Sequence, residues 1–163
     1  MTRIIASFLY VGLLRPAPGT WGSAAALPAA WALHVLGGPA LLAAGLVAVA
    51  ALGWWATAAE LRGSADKDPS WIVIDEVAGQ FVALLPVSLG AAIAGAQVLA
   101  LWPGWLAAFL AFRLFDIWKP GPVGWADRQG GALGVMLDDL IAGALAAIAV
   151  AAGAGLAHGL LLP

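Results

Sequence analysis

The chain reads as an all-α protein, a polytopic helical membrane protein of about five spanning helices with a short N-terminal interfacial or re-entrant helix in front. Three observations predict this. Of its 163 residues 63% are hydrophobic and the mean hydropathy is +0.97, whereas a soluble domain is usually about 45–50% apolar. Only 10% are charged. Those charges are gathered into islands, and the charge-free runs between them are long enough for one or two crossings of roughly 20 residues each. The length suits a single domain over residues 1–163, without a linker.

Residues 4–14, between Arg3 and Arg15, are apolar but too short to span, so they are expected to lie at the interface as a retained helix. The prolines of Arg15-Pro16-Ala17-Pro18-Gly19 then interrupt helical geometry. The run Ser23 to Ala59 carries no charge and divides at Gly37-Gly38-Pro39, which predicts a helical hairpin over 22–36 and 40–61. Residues 60–69 have the composition of an exposed loop, with Asp66 and Asp68 as solvated turn charges. A second charge-free run, Val77 to Phe112, divides at Trp102-Pro103-Gly104-Trp105, predicting helices over 76–101 and 105–118. A last run, 140–163, makes the exit helix. Both far-side turns are uncharged while every Arg and Lys falls on the near side, so the positive-inside tendency assigns the near side to the cytoplasm. Abundant Gly and Ala predict close helix contacts in lipid.

Composition also excludes. There is no cysteine, which removes thiolate nucleophiles, disulfides and zinc-thiolate sites. A net charge of −2 with no basic run argues against nucleic acid. The lipid bilayer is the one partner the sequence demands, and no obligate protein partner is indicated.

Three polar islands carry the chemistry. The longest is FRLFDIWKPGPVGWADRQGGALGVMLDDLIAG, Phe112 to Gly143; the second is Asp75-Glu76 in WIVIDEVAGQF; the third is the uncharged turn Pro18-Gly19-Thr20-Trp21-Gly22-Ser23. Arg113 and Asp116 fall three residues apart and so share a helix face. The pairs Asp75-Glu76 and Asp138-Asp139 each stand at the expected mouth of a spanning helix. If the islands converge, Asp75, Glu76, Asp116, Asp127, Asp138 and Asp139 face only Arg113, Lys119 and Arg128, six negatives against three positives. Beside lipid such an excess calls for a cation, and all-oxygen ligands favour magnesium or manganese over zinc. His34 and His158 fall on far-side ends and are poor candidates. A structural ion-pair network is the competing explanation of the cluster. Basic residues beside a hard-cation site suit a phosphate, with the metal on Asp75, Glu76, Asp138 and Asp139 and Asp116 as a further ligand or neighbour. Arg113, Lys119 and Arg128 would neutralise phosphate oxygens, Thr20 and Ser23 would help hold them, and Trp118 and Trp125 would wall the site. The nucleophile is a water with one carboxylate as base, or a carboxylate itself.

PGTWGS at 18–23, IDEVAG at 74–79, and FRLFDIWKPGPVGWADR followed by GGALGVMLDDLIAG occur in an order that resembles the phosphatidylglycerophosphatase A family, from about Leu14 to Gly143. The resemblance implies magnesium-dependent hydrolysis of phosphatidylglycerophosphate to phosphatidylglycerol and inorganic phosphate on the cytoplasmic face of the bacterial inner membrane. Two other classes use similar residues. A CDP-alcohol phosphotransferase also needs cytosolic carboxylates and magnesium, but its dense aspartate-glycine signature is missing. A cation or proton transporter would place carboxylates near mid-span rather than at helix ends.

Overall fold

A short helix, α1 (Thr2–Ala6), begins the chain and is followed by residues with left-handed backbone, Phe8 to Tyr10, and a 3-10 turn over Val11–Leu13. The structure, a computed structural model, describes residues 1–161, with side chains to Ala157, so the His158 side chain and residues 162–163 of the expected exit helix lie outside it. The N-terminal segment is docked, although its helix is shorter than the 4–14 expected. The Val73 amide donates to the Ala6 carbonyl (2.9 Å), Thr2 Oγ1 donates to Glu60 Oε1 (2.5 Å), and Arg3 stacks 5.1 Å from the Trp71 ring centre.

Pro18 opens α2 (Pro18–Leu61), a position where its missing N–H has no intrahelical partner to lose. PGTWGS is therefore the first turns of a helix rather than a turn before one. The helix doubles back at Gly37 and Gly38, which leave helical geometry. Gly38 has φ 63° and ψ −159°, a region closed to residues with a Cβ. A Cβ on Gly45 would come within 2.6 Å of Leu33; in one straight helix those positions would be about 18 Å apart. The two arms thus lie side by side, as the charge-free run predicts.

α3 (Ile74–Ala94) carries Asp75 and Glu76 in its first turn, where the positive end of the helix dipole favours them, and stops at left-handed Gly95 rather than at 101. A 3-10 turn over Val98–Leu101 leads into α4 (Trp102–Trp118), whose first turn absorbs Pro103. A short helix the sequence did not suggest, α5 (Pro122–Asp127), follows, and α6 (Gly131–Leu161) begins well before residue 140. Asp138 and Asp139 consequently sit inside α6 and not at its mouth, and Asp116 likewise lies within α4. Among the described residues there is no strand, and four helices are long and apolar enough to cross a membrane, the first being the folded α2.

α3 is the buried centre, packed against α2, α4 and α6. Its tightest crossing is at Gly79. A Cβ there would lie 2.5 Å from the Phe112 ring and 2.6 Å from the Asp139 carbonyl, and a Cβ on Gly143 would strike the Gly79 carbonyl. In lipid such backbone contact supplies the packing that hydrophobic burial supplies in water. Gly79 follows Asp75, and Gly143 follows Asp139, by one helical turn. The glycine crossing therefore sets the two acid-bearing turns side by side.

Candidate active site

At the near end of the bundle a cavity of about 320 Å³ opens where the start of α2, the start of α3, the end of α4 and the second and third turns of α6 converge. Asp75, Glu76, Asp116, Asp138, Asp139, Arg113 and Lys119 all line it, together with Asp68 of the loop and the backbone of Ala17 to Gly19. Six acidic side chains face two basic ones, an excess of four if all are ionised.

The acids are divided between two kinds of partner. One carboxylate oxygen each from Asp75, Glu76 and Asp139 fall within 4.8 Å of one another, a spacing that one ion could bridge. Asp138 is not in this group. Successive helical residues point about 100° apart, and Asp138 Oδ2 instead accepts from Lys119 Nζ at 2.8 Å. Lys119 also binds Asp127. Burial works against the Lys119 charge, but the hydrogen bonds to Asp127 and Asp138 outweigh it and raise its pKa above the ordinary lysine value.

Arg113 Nη1 lies 2.6 Å from Asp116 Oδ2 and 4.0 Å from Glu76 Oε1, and donates to Ser23 Oγ at 3.4 Å. Ser23, fully buried, donates in turn to the Gly19 carbonyl (2.9 Å). A Cβ on Gly19 would run into Glu76 Oε1 and come 3.3 Å from Arg113 Nη1, so glycine leaves the room in which these two charges meet. Asp75 Oδ1, Glu76 Oε2 and Arg113 Nε are buried without a hydrogen-bond partner among the described residues.

Several sequence-derived candidates fall elsewhere. Arg128 is exposed just after α5, whose buried face, Val123, Gly124 and Ala126, packs on α6, and it does not line the cavity. Thr20 lies in the first turn of α2, off the cavity wall, and Ser23 stands behind Arg113 rather than facing the opening. Trp118 and Trp125 are 68% and 52% exposed and wall nothing. Asp68 is an exposed loop charge, as read, and it also stands on the cavity wall. The sequence signal was its short distance from Asp75, since the intervening residues end in a helix start. His34 binds Ser88 Oγ through Nδ1 (2.6 Å), well away from the acids.

Fold and cavity together define an integral membrane protein whose polar chemistry is gathered in one acidic chamber at the end of an apolar helix bundle, the design of a membrane-embedded enzyme. The family model described as Phosphatidylglycerophosphatase A matches residues 4–154, and the chain belongs to that family. Phosphatidylglycerophosphatase A of Escherichia coli strain K12 is 31% identical over 137 residues, covering 83% of this chain and 73% of that protein. The Haemophilus influenzae protein of the same description is 35% identical over 140 residues, 85% of this chain and 80% of the relative. No solved structure matches the chain.

Proposed function

We propose that this protein hydrolyses the terminal phosphomonoester of phosphatidylglycerophosphate, giving phosphatidylglycerol and inorganic phosphate, at the cytoplasmic face of the bacterial inner membrane and with magnesium. The observation that carries the reading is the carboxylate group Asp75, Glu76 and Asp139 beside Arg113 and Lys119 in one cavity, in a chain of this family. The near-side location of every Arg and Lys supports the cytoplasmic orientation.

The donor set fits a hard divalent ion: its ligand atoms are all oxygens, Asp75 Oδ1 is buried and unpartnered, and Gly19 leaves a hollow at Glu76 Oε1 that a side chain would fill. Asp75, Glu76 and Asp139 would hold the ion. When bound, such an ion polarises phosphoryl oxygens and offsets the negative excess of the chamber. Arg113 is held in place by Asp116, and Lys119 by Asp127 and Asp138; the N–H groups on their outer ends that these partners do not take would meet the nonbridging oxygens of the phosphate. A water attacks phosphorus while a cavity carboxylate takes its proton. The new P–O bond forms as the bond to the glycerol oxygen breaks, and that oxygen leaves with the proton the carboxylate returns.

Phosphate release from phosphatidylglycerophosphate by the purified protein, with magnesium and with EDTA, tests the assignment. Metal-dependent release that disappears in Asp139→Asn supports it. Folded protein that releases phosphate only from another lipid, such as phosphatidic acid, or from none, overturns it.

A further inference from the structure

Four polar atoms beneath the acidic cavity are buried without a hydrogen-bond partner among the described residues, and they complement one another: Glu76 Oε2 and Gln80 Oε1 accept, Gln80 Nε2 and Arg113 Nε donate. Gln80 is wholly excluded from solvent, and nothing in the reaction above uses it. A buried amide with neither end paired is among the most costly groups an interior can hold.

The register brings these atoms to one strip. Gln80 follows Glu76 by one turn of α3, so the two share a face. That face is turned towards α2, because Glu76 Oε1 lies against Gly19. Arg113 reaches the same strip from α4, with Nη1 3.4 Å from Ser23 Oγ and 4.0 Å from Glu76 Oε1. The residues just before Gln80 and Arg113, Gly79 and Phe112, are in contact across the α3/α4 boundary.

We propose that Gln80 is a positioning residue for Glu76 and Arg113. Through a buried water at each end, its amide N–H reaches Glu76 Oε2 and its carbonyl reaches Arg113 Nε–H. Glu76 is thereby left to present Oε1 to the cavity, and the guanidinium is fixed in its plane beside Asp116. A neutral amide suits the position. A carboxylate would add to the negative excess of the chamber, and an apolar side chain would leave Glu76 Oε2 and Arg113 Nε without a hydrogen-bond partner in a low-dielectric interior. The consequence for cation binding rests on the cation-assisted reading above; the hydrogen-bonded relay does not.

The test is a double-mutant cycle in thermal stability, in detergent with EDTA, so that neither activity nor metal enters. Gln80→Met keeps the size and removes both polar ends. The relay predicts a lower Tm for Gln80→Met by at least about 2–4 °C, and a smaller drop in the Glu76→Met background, where only the Arg113 link remains to be lost. A Tm that is unchanged or raised, or a drop that is the same in both backgrounds, overturns the proposal, since an idle buried amide is only a liability. A second readout is Mn2+ affinity by paramagnetic resonance, which Gln80→Met should weaken by about 10-fold or more, the usual effect of losing a group that orients a ligand. Unmutated protein that binds no Mn2+ overturns the cation reading, and the melting cycle still decides the relay. If Gln80→Met does not fold, the 15N signal of the Gln80 side-chain amide in the unmutated chain decides: a shift on Glu76→Gln supports the relay, and an unmoved signal overturns it.

Discussion

Asp75-Glu76 and Asp138-Asp139 look alike in sequence, each an acidic pair followed, after one or two larger apolar residues, by Ala-Gly, yet the bundle uses them differently. Both members of the α3 pair belong to the three-carboxylate group, where they meet Asp139. The α6 pair is split, Asp139 joining that group and Asp138 turning to Lys119. The difference comes from direction. Asp139 meets the α3 pair beside the Gly79–Gly143 crossing, and Asp138, about 100° round α6, meets Lys119. A pair of adjacent acids on a helix is thus two positions about 100° apart and not one site.

Breaking the comparison at its centre has the largest expected effect. Asp139→Asn should lower phosphate release by about 10²–10³-fold, the scale of losing one preorganised charged group. Asp138→Asn, which loses a lysine partner and not a place among the three carboxylates, should cost about 10-fold. Initial rates with saturating magnesium check this, and equal losses for the two would mean that the α6 pair acts as a unit.

The glycines that follow the two pairs offer the next test. Gly143→Leu drives a side chain into the Gly79 carbonyl, and overpacking of this kind costs about 1–3 kcal/mol. Its melting temperature in detergent should fall and the cavity should lose Asp139 from its place. Gly19→Ala meets only the flexible end of Glu76 and Arg113, so it should melt near the unmutated protein while binding Mn2+ more weakly. A Gly143→Leu protein as stable as the unmutated chain would remove the crossing as the cause of the site's geometry.

These cases show where the sequence could be read and where it could not. Charge-free runs and their Gly and Pro breaks reported the helices well, because lipid permits few other arrangements; the Gly37-Gly38 reversal was legible before any contact was known. Helix starts near the cavity were not. The stretch 131–139 looks like a polar connection since it holds glycines and two acids, but a helix lining a polar chamber carries charge on its inner face. Pro18 similarly looked like a breaker and is a helix opener. Nearness along the chain misled for Arg128, which stands exposed after α5 and off the cavity wall, and it undervalued Asp68, an exposed loop charge that also lines the cavity. The split of Asp138 from Asp139 depends on the azimuth of α6, which only the Gly79–Gly143 contact sets.

A smaller effect should appear in the pH dependence of stability. The folded protein raises the Lys119 pKa through Asp127 and Asp138, so charged Lys119 favours folding. That contribution is complete below the unfolded value of about 10.4 and declines as pH rises through the higher folded value. With the side chain 31% exposed, solvent screening limits the contribution to about 1 kcal/mol or less. The Tm difference between the unmutated protein and Lys119→Met should therefore stay constant from about pH 7 to 9 and shrink above about pH 10. A difference that grows with alkalinity would mean that the lysine is strained, and not stabilised, where it stands.

The smallest effect separates the two arginines. Arg113 is enclosed between Asp116, Glu76 and Ser23, and Arg128 is exposed with no place on the cavity wall. An exposed side chain away from such contacts changes free energies by about 0.5 kcal/mol at most, which is roughly a twofold change in rate. Arg128→Ala should accordingly keep kcat/KM within about twofold of the unmutated enzyme, while Arg113→Ala leaves Asp116 and Glu76 without their cation. A large loss in Arg128→Ala that appears in KM with kcat unchanged would show that α5 swings this arginine over the opening when the lipid headgroup enters. The boundary of the site would then move outward from the bundle, and the distinction between the enclosed and the exposed arginine would describe only the substrate-free protein.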